Sequence, residues 1–247
     1  MEKAKYTINY NNGDQIKLQK GNTKLGKKVF TFNTLPGEHP LTLKDGTVLT
    51  NVLGTCNGCC EGCETGGCYA IRDAKLHSNS VIPSQGKNTV IMRHSYNDGF
   101  AQIKEQLITN KAETLRFHSS GEIIDYDYLL KMVELAKEMP NVKFYFYTKR
   151  FPEMSRYIKE NGVLPENLVC NLSVWRDNLK DYPELNGLNQ FIWDDGSDLT
   201  LTKEHHCPAV SAPKVPGGKG HETGVTCSQC GRCYSKNDGH KMCVYNH

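Results

Sequence analysis

The sequence contains no apolar run approaching the ~20 residues that a membrane span requires, and its opening stretch, MEKAKYTINYNNGDQIKLQK, lacks a secretory h-region. Both absences predict a cytoplasmic chain with no membrane partner. Charge of one sign is not in excess either: 30 Lys+Arg against 27 Asp+Glu leave a net charge of +3. A dedicated cationic coat for nucleic acid is thereby excluded, though a local basic patch is not. No long internal repeat is visible. At 247 residues, with 38% hydrophobic and 23% charged residues, the composition is globular and long enough to bury a core without covalent staples. The length suits one domain with a small appendage.

Cysteine is what the chain has in quantity: 11 residues, an odd number. In a reducing compartment disulfides are rare, and clustered cysteines more often ligate metals or act as reactive thiols. Ten of them fall into two groups, 56–68 and 207–243, with Cys170 lying alone in an apolar stretch. Cys170 reads as a small buried hydrophobe.

Residues 1–46 read as a β-rich N-terminal segment. Asn11-Asn12-Gly13 between KYTINY and QIKLQ predicts a hairpin, VFTF at 29–32 a strand, and Pro36-Gly37 a turn. Residues 47–206 read as an α/β region. TVLTNVL at 47–53 is a strand that runs into the first cysteine group. A helix capped by Asn97 or Asp98 carries Phe100, Ile103 and Leu107. TLRFH at 114–118 is the next strand, followed by a helix capped by Asp125 with Leu129, Val133 and Ala136 on one face. KFYFYT, PEMSRYIKE, LVCNLSV and FIW continue the alternation of strand and helix. Such alternation predicts right-handed crossovers and a parallel sheet, with chemistry beyond the carboxyl ends of the strands. Cysteines, Ser119-Ser120-Gly121-Glu122, Lys149-Arg150, and Asn171 with Ser173 lie at or near those ends. Residues 207–247 form a Pro/Gly-rich, cysteine-bearing C-terminal extension.

The first group reads Cys56-Asn57-Gly58-Cys59-Cys60-Glu61-Gly62-Cys63-Glu64-Thr65-Gly66-Gly67-Cys68-Tyr69-Ala70. Five thiols with intervening glycines can converge on one metal, and thiolates suit iron–sulfur clusters or zinc. Cys56, Cys60 and Cys63 give C-x3-C-x2-C; Cys56, Cys63 and Cys68 give C-x6-C-x4-C. Either way thiols are left over.

C-x3-C-x2-C ahead of a parallel α/β region resembles the radical S-adenosylmethionine superfamily. That resemblance implies a partial (β/α) barrel and a [4Fe–4S] cluster on three cysteines with S-adenosylmethionine on the remaining iron. It also implies an unknown substrate and an electron donor such as a flavodoxin or ferredoxin. Ser120-Gly121-Glu122 resembles the superfamily's Gly-Gly-Glu motif, with Ser120 in place of the first glycine, and implies contact with the cofactor's amino group. Arg116, Lys149 or Arg150 would then pair with its carboxylate, and Asn171 or Ser173 with its ribose. Ser119-x-x-Glu122 also fits a capping box for the next helix, and His118 reads as either a site residue or a hydrogen-bonded residue at the strand end. More narrowly, KLGKKVFTFNTLP, Cys-Tyr-Ala, LRFHSSGEI, FYFYTKR and CPAV…TCSQCGRC resemble the phage and plasmid gene product 88 family. That likeness favours Cys56, Cys63 and Cys68 as the ligand set and carries no activity.

In the extension, Cys227-x2-Cys230-x2-Cys233 resembles ferredoxin spacing, with Cys207 or Cys243 as the fourth thiol of a second cluster. Zinc is the competing metal there, with His221, His240 and His247 nearby and His205-His206 beside Cys207. Two functions follow: an iron–sulfur enzyme of radical type, or a non-catalytic protein stapled by zinc or iron–sulfur. The second could bind nucleic acid through Lys214, Lys219, Arg232, Lys236 and Lys241, although no dense basic stripe supports it.

Overall fold

In a computed structural model of the chain, the structure describes residues 5–21, 25, 29–43, 45–58, 63, 68–175, 178–194, 200–211 and 221–244. The strands are β1 (Lys5–Tyr6), β2 (Gln19–Lys20), β3 (Val29–Phe32), β4 (Val48–Leu49), β5 (Thr114–Phe117), β6 (Lys143–Thr148), β7 (Leu168–Val174), β8 (Asn189–Trp193), β9 (Val210–Ser211), β10 (His221–Glu222) and β11 (Lys241–Val244). The helices are α1 (Tyr69–Leu76), α2 (Ser78–His94), α3 (Tyr96–Thr109), α4 (Tyr126–Glu138), α5 (Phe151–Asn161) and the single turn α6 (Cys227–Cys230).

Seven strands form one sheet in the order β11-β8-β7-β6-β5-β3-β2, parallel throughout except for the β2–β3 edge. The six parallel strands therefore follow one another in chain order, so every crossover advances the sheet in one direction. The sheet is open, with β2 and β11 as its edges, and does not close into a barrel. Both the N-terminal segment, through β3, and the cysteine-bearing extension, through β11, contribute strands to it.

Period-2 alternation gives each strand two faces. Phe30, Phe32, Leu115, Phe117, Phe144, Phe146, Leu168, Cys170 and Leu172 join helical residues such as Ile103, Leu129 and Met154 in the main core. Cys170 is fully buried there, and burial pushes its thiol well above the ordinary range. On the opposite face, Val29, Tyr145 and Val169 pack with Leu25, and Tyr147, Cys227, Cys233 and Tyr234 lie against them. The extension thus covers the sheet face that the helices leave open.

Several expectations hold in detail. Asp125 caps α4 by accepting from Tyr128 N at 2.9 Å, and Leu129, Val133 and Ala136 face the core. VFTF, KFYFYT and LVCNLSV are strands at the stated bounds. Others need correction. The Asn-Gly turn forms, with Asp14 N donating to Asn11 O, but β1 pairs in parallel with β4 while β2 pairs with β3, so the strands on either side of this turn do not pair with each other. Of 47–53 only Val48–Leu49 is a strand, and it lies outside the main sheet; the sheet strand preceding the first cysteines is β3. Helix α3 is capped by Ser95, whose hydroxyl accepts from Asp98 N, rather than by Asn97 or Asp98. The capping box at Ser119–Glu122 is absent because α4 starts only after Asp125.

Helices α1 and α2 are not legible in the sequence. Helix α2 contains Pro83 and Gly86 and buries Ser84, Gln85, Asn88 and Thr89, so it lacks an apolar stripe. Its buried amides serve loops instead: Asn88 donates to Lys17 O and Asn33 O and accepts from Lys17 N, and Thr89 Oγ1 accepts from Leu35 N.

Candidate metal centres

The segments that follow β3, β5 and β6 are tied to one another at the carboxyl end of the sheet. Asn33 Oδ1 accepts from Ser119 N at 2.8 Å and Ser120 N at 3.2 Å, while Thr34 N donates to Ser120 O. The Ser120 hydroxyl lies 2.8 Å from Gln85 Oε1 and 3.1 Å from Thr34 O, inside the protein. Gly121 has φ +84°, and a Cβ there would overlap the hydroxyls of Thr34 and Thr55. Glycine is required on both counts.

Glu122 is 6% exposed. Its Oε1 accepts from Ile123 N at 2.9 Å and from Thr148 Oγ1 at 2.8 Å, and its Oε2 from Lys149 N at 2.9 Å. Burial raises its pKa, and the Lys149 charge together with these donors pulls the other way. Glu122 therefore links the ends of β5 and β6.

The described cysteines of the first group lie around the same end. Cys56 N donates to Gly37 O at 3.1 Å, and the residue after it, Asn57, accepts through its carbonyl from Arg150 Nη1. Arg150 also pairs with Glu153. Cys68 occupies the N-cap of α1. Its thiol is lowered to about 6 by a hydrogen bond from Cys63, against the pull of burial and with help from the Ile71 and Ala70 N–H groups and the Lys149 charge. Tyr69, the first residue of α1, donates its hydroxyl to Ser119 O. Cys63, Cys68, Lys149 and Glu122 thus share one neighbourhood. A thiol already favoured as thiolate, with a second thiol bonded to it, is a donor set that fits an iron–sulfur or zinc centre. Cys60, like Cys59, lies outside the described residues.

The second group is built by a short winding of chain. Thr226 caps α6 through a capping box with Gln229, Gly231 turns the chain at φ 68°, and a 3-10 turn (Arg232–Tyr234) follows. Helical spacing puts Cys227 and Cys230 on one side of their turn. Asn171 Nδ2 donates to Cys233 O at 2.9 Å and Phe146 O at 3.2 Å, which holds the winding to the sheet; Asn189 does the same for Lys236 O at 2.8 Å. Cys233 is raised to about 12, chiefly by burial and also by the charges of Cys207, Cys227 and Cys230, while its bond to Tyr147 acts in the opposite sense. Cys207, Cys227 and Cys230 thus lie near enough to Cys233 to disfavour its ionisation, and a bound cation would reverse that, since it deprotonates its thiol ligands. By type, four thiols suit zinc or an iron–sulfur centre, although among the described residues only Asp194, His206 and Cys243 have donor atoms all within 4.8 Å of one another. Cys207, rather than Cys243, is the fourth thiol that acts on Cys233. Met242 Sδ lies 3.7 Å from Cys233 Sγ, so the next residue of β11, Cys243, faces the other way.

Between the two groups lies Arg116 on the open sheet face. Its guanidinium sits 4.8 Å above the Tyr147 ring, and its Nε is buried without a hydrogen-bond partner. Burial opposes its charge, but Tyr69, Tyr147, Tyr145 and Cys233 outweigh it and hold Arg116 protonated. Lys149 Nζ lies 5.2 Å from the Trp175 ring centroid. Asn171 is committed to Cys233, and Ser173 is partly buried with its carbonyl accepting from Asn178. His118 is 4% exposed and bonded to the Tyr128 hydroxyl at 3.0 Å, the hydrogen-bonded reading of that residue. Asn33, Thr34, Thr55 and Gln85, which assemble the loops around Gly121, were missed. For Asn33 and Thr34 the signal is a pair of polar residues directly after the VFTF strand; Thr55 and Gln85 have none.

These features define an α/β protein with an open, chain-ordered parallel sheet and cysteine groups at its carboxyl end and on its open face. The chain matches the family described as gene product 88 over residues 16–236 and belongs to it. No curated protein and no solved structure matches the chain. Among the described residues, no helix is long and apolar enough to cross a membrane.

Proposed function

We propose that the protein is an iron–sulfur enzyme of radical S-adenosylmethionine type, acting on a substrate that the chain does not identify. The observation that carries this reading is the meeting of Cys63, Cys68, Lys149 and Glu122 at the carboxyl end of a sequentially ordered parallel sheet. When bound, a reduced cluster supplies the electron that cleaves S-adenosylmethionine. Cys56, Cys63 and Cys68 hold the iron, with Cys60 as the alternative third ligand. Glu122 Oε2 takes one donor where Oε1 takes two, so it keeps acceptor capacity for an ammonium. Lys149 and Arg116 are the cations available to a carboxylate. Cys207, Cys227, Cys230 and Cys233 hold a second cluster, or zinc, over the open face.

Anaerobic purification tests this. The expected protein is brown, carries iron and sulfide, and cleaves S-adenosylmethionine when reduced. Cys63→Ala removes the first cluster and leaves the metal of the extension in place. A colourless, zinc-bearing protein inert toward S-adenosylmethionine overturns the reading, and unchanged iron in Cys63→Ala overturns the ligand assignment. One observation favours the non-catalytic alternative: Ser120 and Glu122 are both engaged by internal partners, as expected of a loop whose task is structural.

A further inference from the structure

We infer that Asp194, His206 and Cys243 form a separate site for a zinc-class divalent ion, distinct from the four thiols of the extension and independent of the iron–sulfur reading. One donor atom from each residue lies within 4.8 Å of the other two. The three come from the end of β8, the residue after a 3-10 turn (Lys203–His205), and β11, so they are assembled by the sheet and not by local sequence. His206 pairs with Cys243 in a parallel bridge, which puts both side chains on the same side of the sheet. Cys243 is fully buried, and the side chains of His206 and Asp194 are 16% and 11% exposed.

The orientation of the His206 ring is the second, independent observation. Its Nδ1 lies 3.1 Å from the Thr202 carbonyl, which can only accept, so Nδ1 carries a proton. Its Nε2 then faces Asp194 Oδ2 at 2.8 Å. A proton on Nε2 makes this contact a hydrogen bond, and a metal ion bound by both atoms takes that proton's place. An imidazole held at Nδ1 by a backbone carbonyl, with Nε2 turned to a carboxylate and a thiol, has the arrangement of a metal-ligating histidine. Zinc bonds of ~2.0–2.3 Å put tetrahedral donors about 3.3–3.7 Å apart, so the three donors reach them by shifts under about 1 Å. One thiolate, one imidazole and one carboxylate suit zinc, and too few sulfurs are present for a cluster.

The site also bears on its neighbour. His206 is in extended conformation, so Cys207 projects to the opposite side, toward Cys233. An ion on His206 fixes the segment that delivers Cys207 to the other centre.

Zinc per chain, measured by elemental analysis on the full-length protein, tests the proposal. Cys243→Ser and the near-isosteric Asp194→Asn should each lose one equivalent, both in the wild type and in a Cys230→Ser background from which any zinc of the four thiols is already removed. Cobalt(II) added to metal-stripped Cys230→Ser should give tetrahedral d–d bands with a weak single-thiolate charge-transfer band, abolished by adding Cys243→Ser. If Cys243→Ser does not fold, His206→Gln replaces it in the same comparison. Zinc content unchanged in Asp194→Asn and His206→Gln overturns the site. So does zinc that is absent from the wild type, which would leave a protonated His206–Asp194 ion pair. S-adenosylmethionine cleavage is scored separately, so failure here and failure of the proposed function are distinguishable.

Discussion

His118 offers the sharpest test of the packing at the carboxyl end of the sheet. Its backbone is in the left-handed region at φ 57°, its N–H donates to Phe32 O at 2.8 Å, and its ring lies near those of Phe32 and Phe117. Burial lowers its pKa from 6.5 to about 3, so the folded protein keeps a neutral imidazole. The unfolded chain takes up a proton near the ordinary value. Between those two values the unfolded state binds the extra proton, so stability is lost as pH falls. The slope is about 1.4 kcal/mol per pH unit, and the deficit at about pH 5 is about 2 kcal/mol. His118→Asn keeps a residue that tolerates positive φ and removes the titration. Urea unfolding of both proteins from about pH 7 to about pH 5 gives the difference directly, because carboxylates and thiols common to both cancel. The wild type should lose about 2 kcal/mol more than the variant over that interval. Parallel stability curves would refute the reasoning.

Two further predictions concern the scaffold of the centres. Gly121→Ala should destabilise by more than ~2 kcal/mol, combining a left-handed alanine with overlap on Thr34 and Thr55. Gly162→Ala, at φ +81° with nothing within 4 Å, should cost only the conformational part. Thermal unfolding should therefore rank Gly121→Ala well below Gly162→Ala, and equal midpoints would contradict the close approach. Asn171→Ala removes the donors to Phe146 O and Cys233 O. It should cost about 1–3 kcal/mol and release metal from the extension at lower chelator concentration than the wild type does. Retention unchanged would show that Asn171 does not hold the winding.

Strand and helix were most legible where one face is apolar. KFYFYT and LVCNLSV read as buried strands because both their faces are covered, and α4 read as a helix because its apolar residues recur at helical spacing. Helix α2 was invisible for the converse reason: it buries amides and hydroxyls that satisfy neighbouring loops, and such partners are long-range. The edge strand β11 was missed because four residues with no alternation carry no signal of their own.

The sites divide along the same line. Spacing alone grouped Cys227, Cys230 and Cys233, since one helical turn, a left-handed glycine and a 3-10 turn are local structures with local residue preferences. Cysteine count and the glycine-rich loop likewise marked the first group. Whether Cys207 or Cys243 faces the other three thiols was beyond sequence, because neither the nineteen residues between Cys207 and Cys227 nor the nine between Cys233 and Cys243 fix a direction. The pleat of β11 and its pairing with β8 and His206 decided it, sending Met242 toward Cys233 and Cys243 toward Asp194. Side-chain alternation along a strand is a local rule, but which face meets which neighbour is set only when strands distant in sequence pair in register.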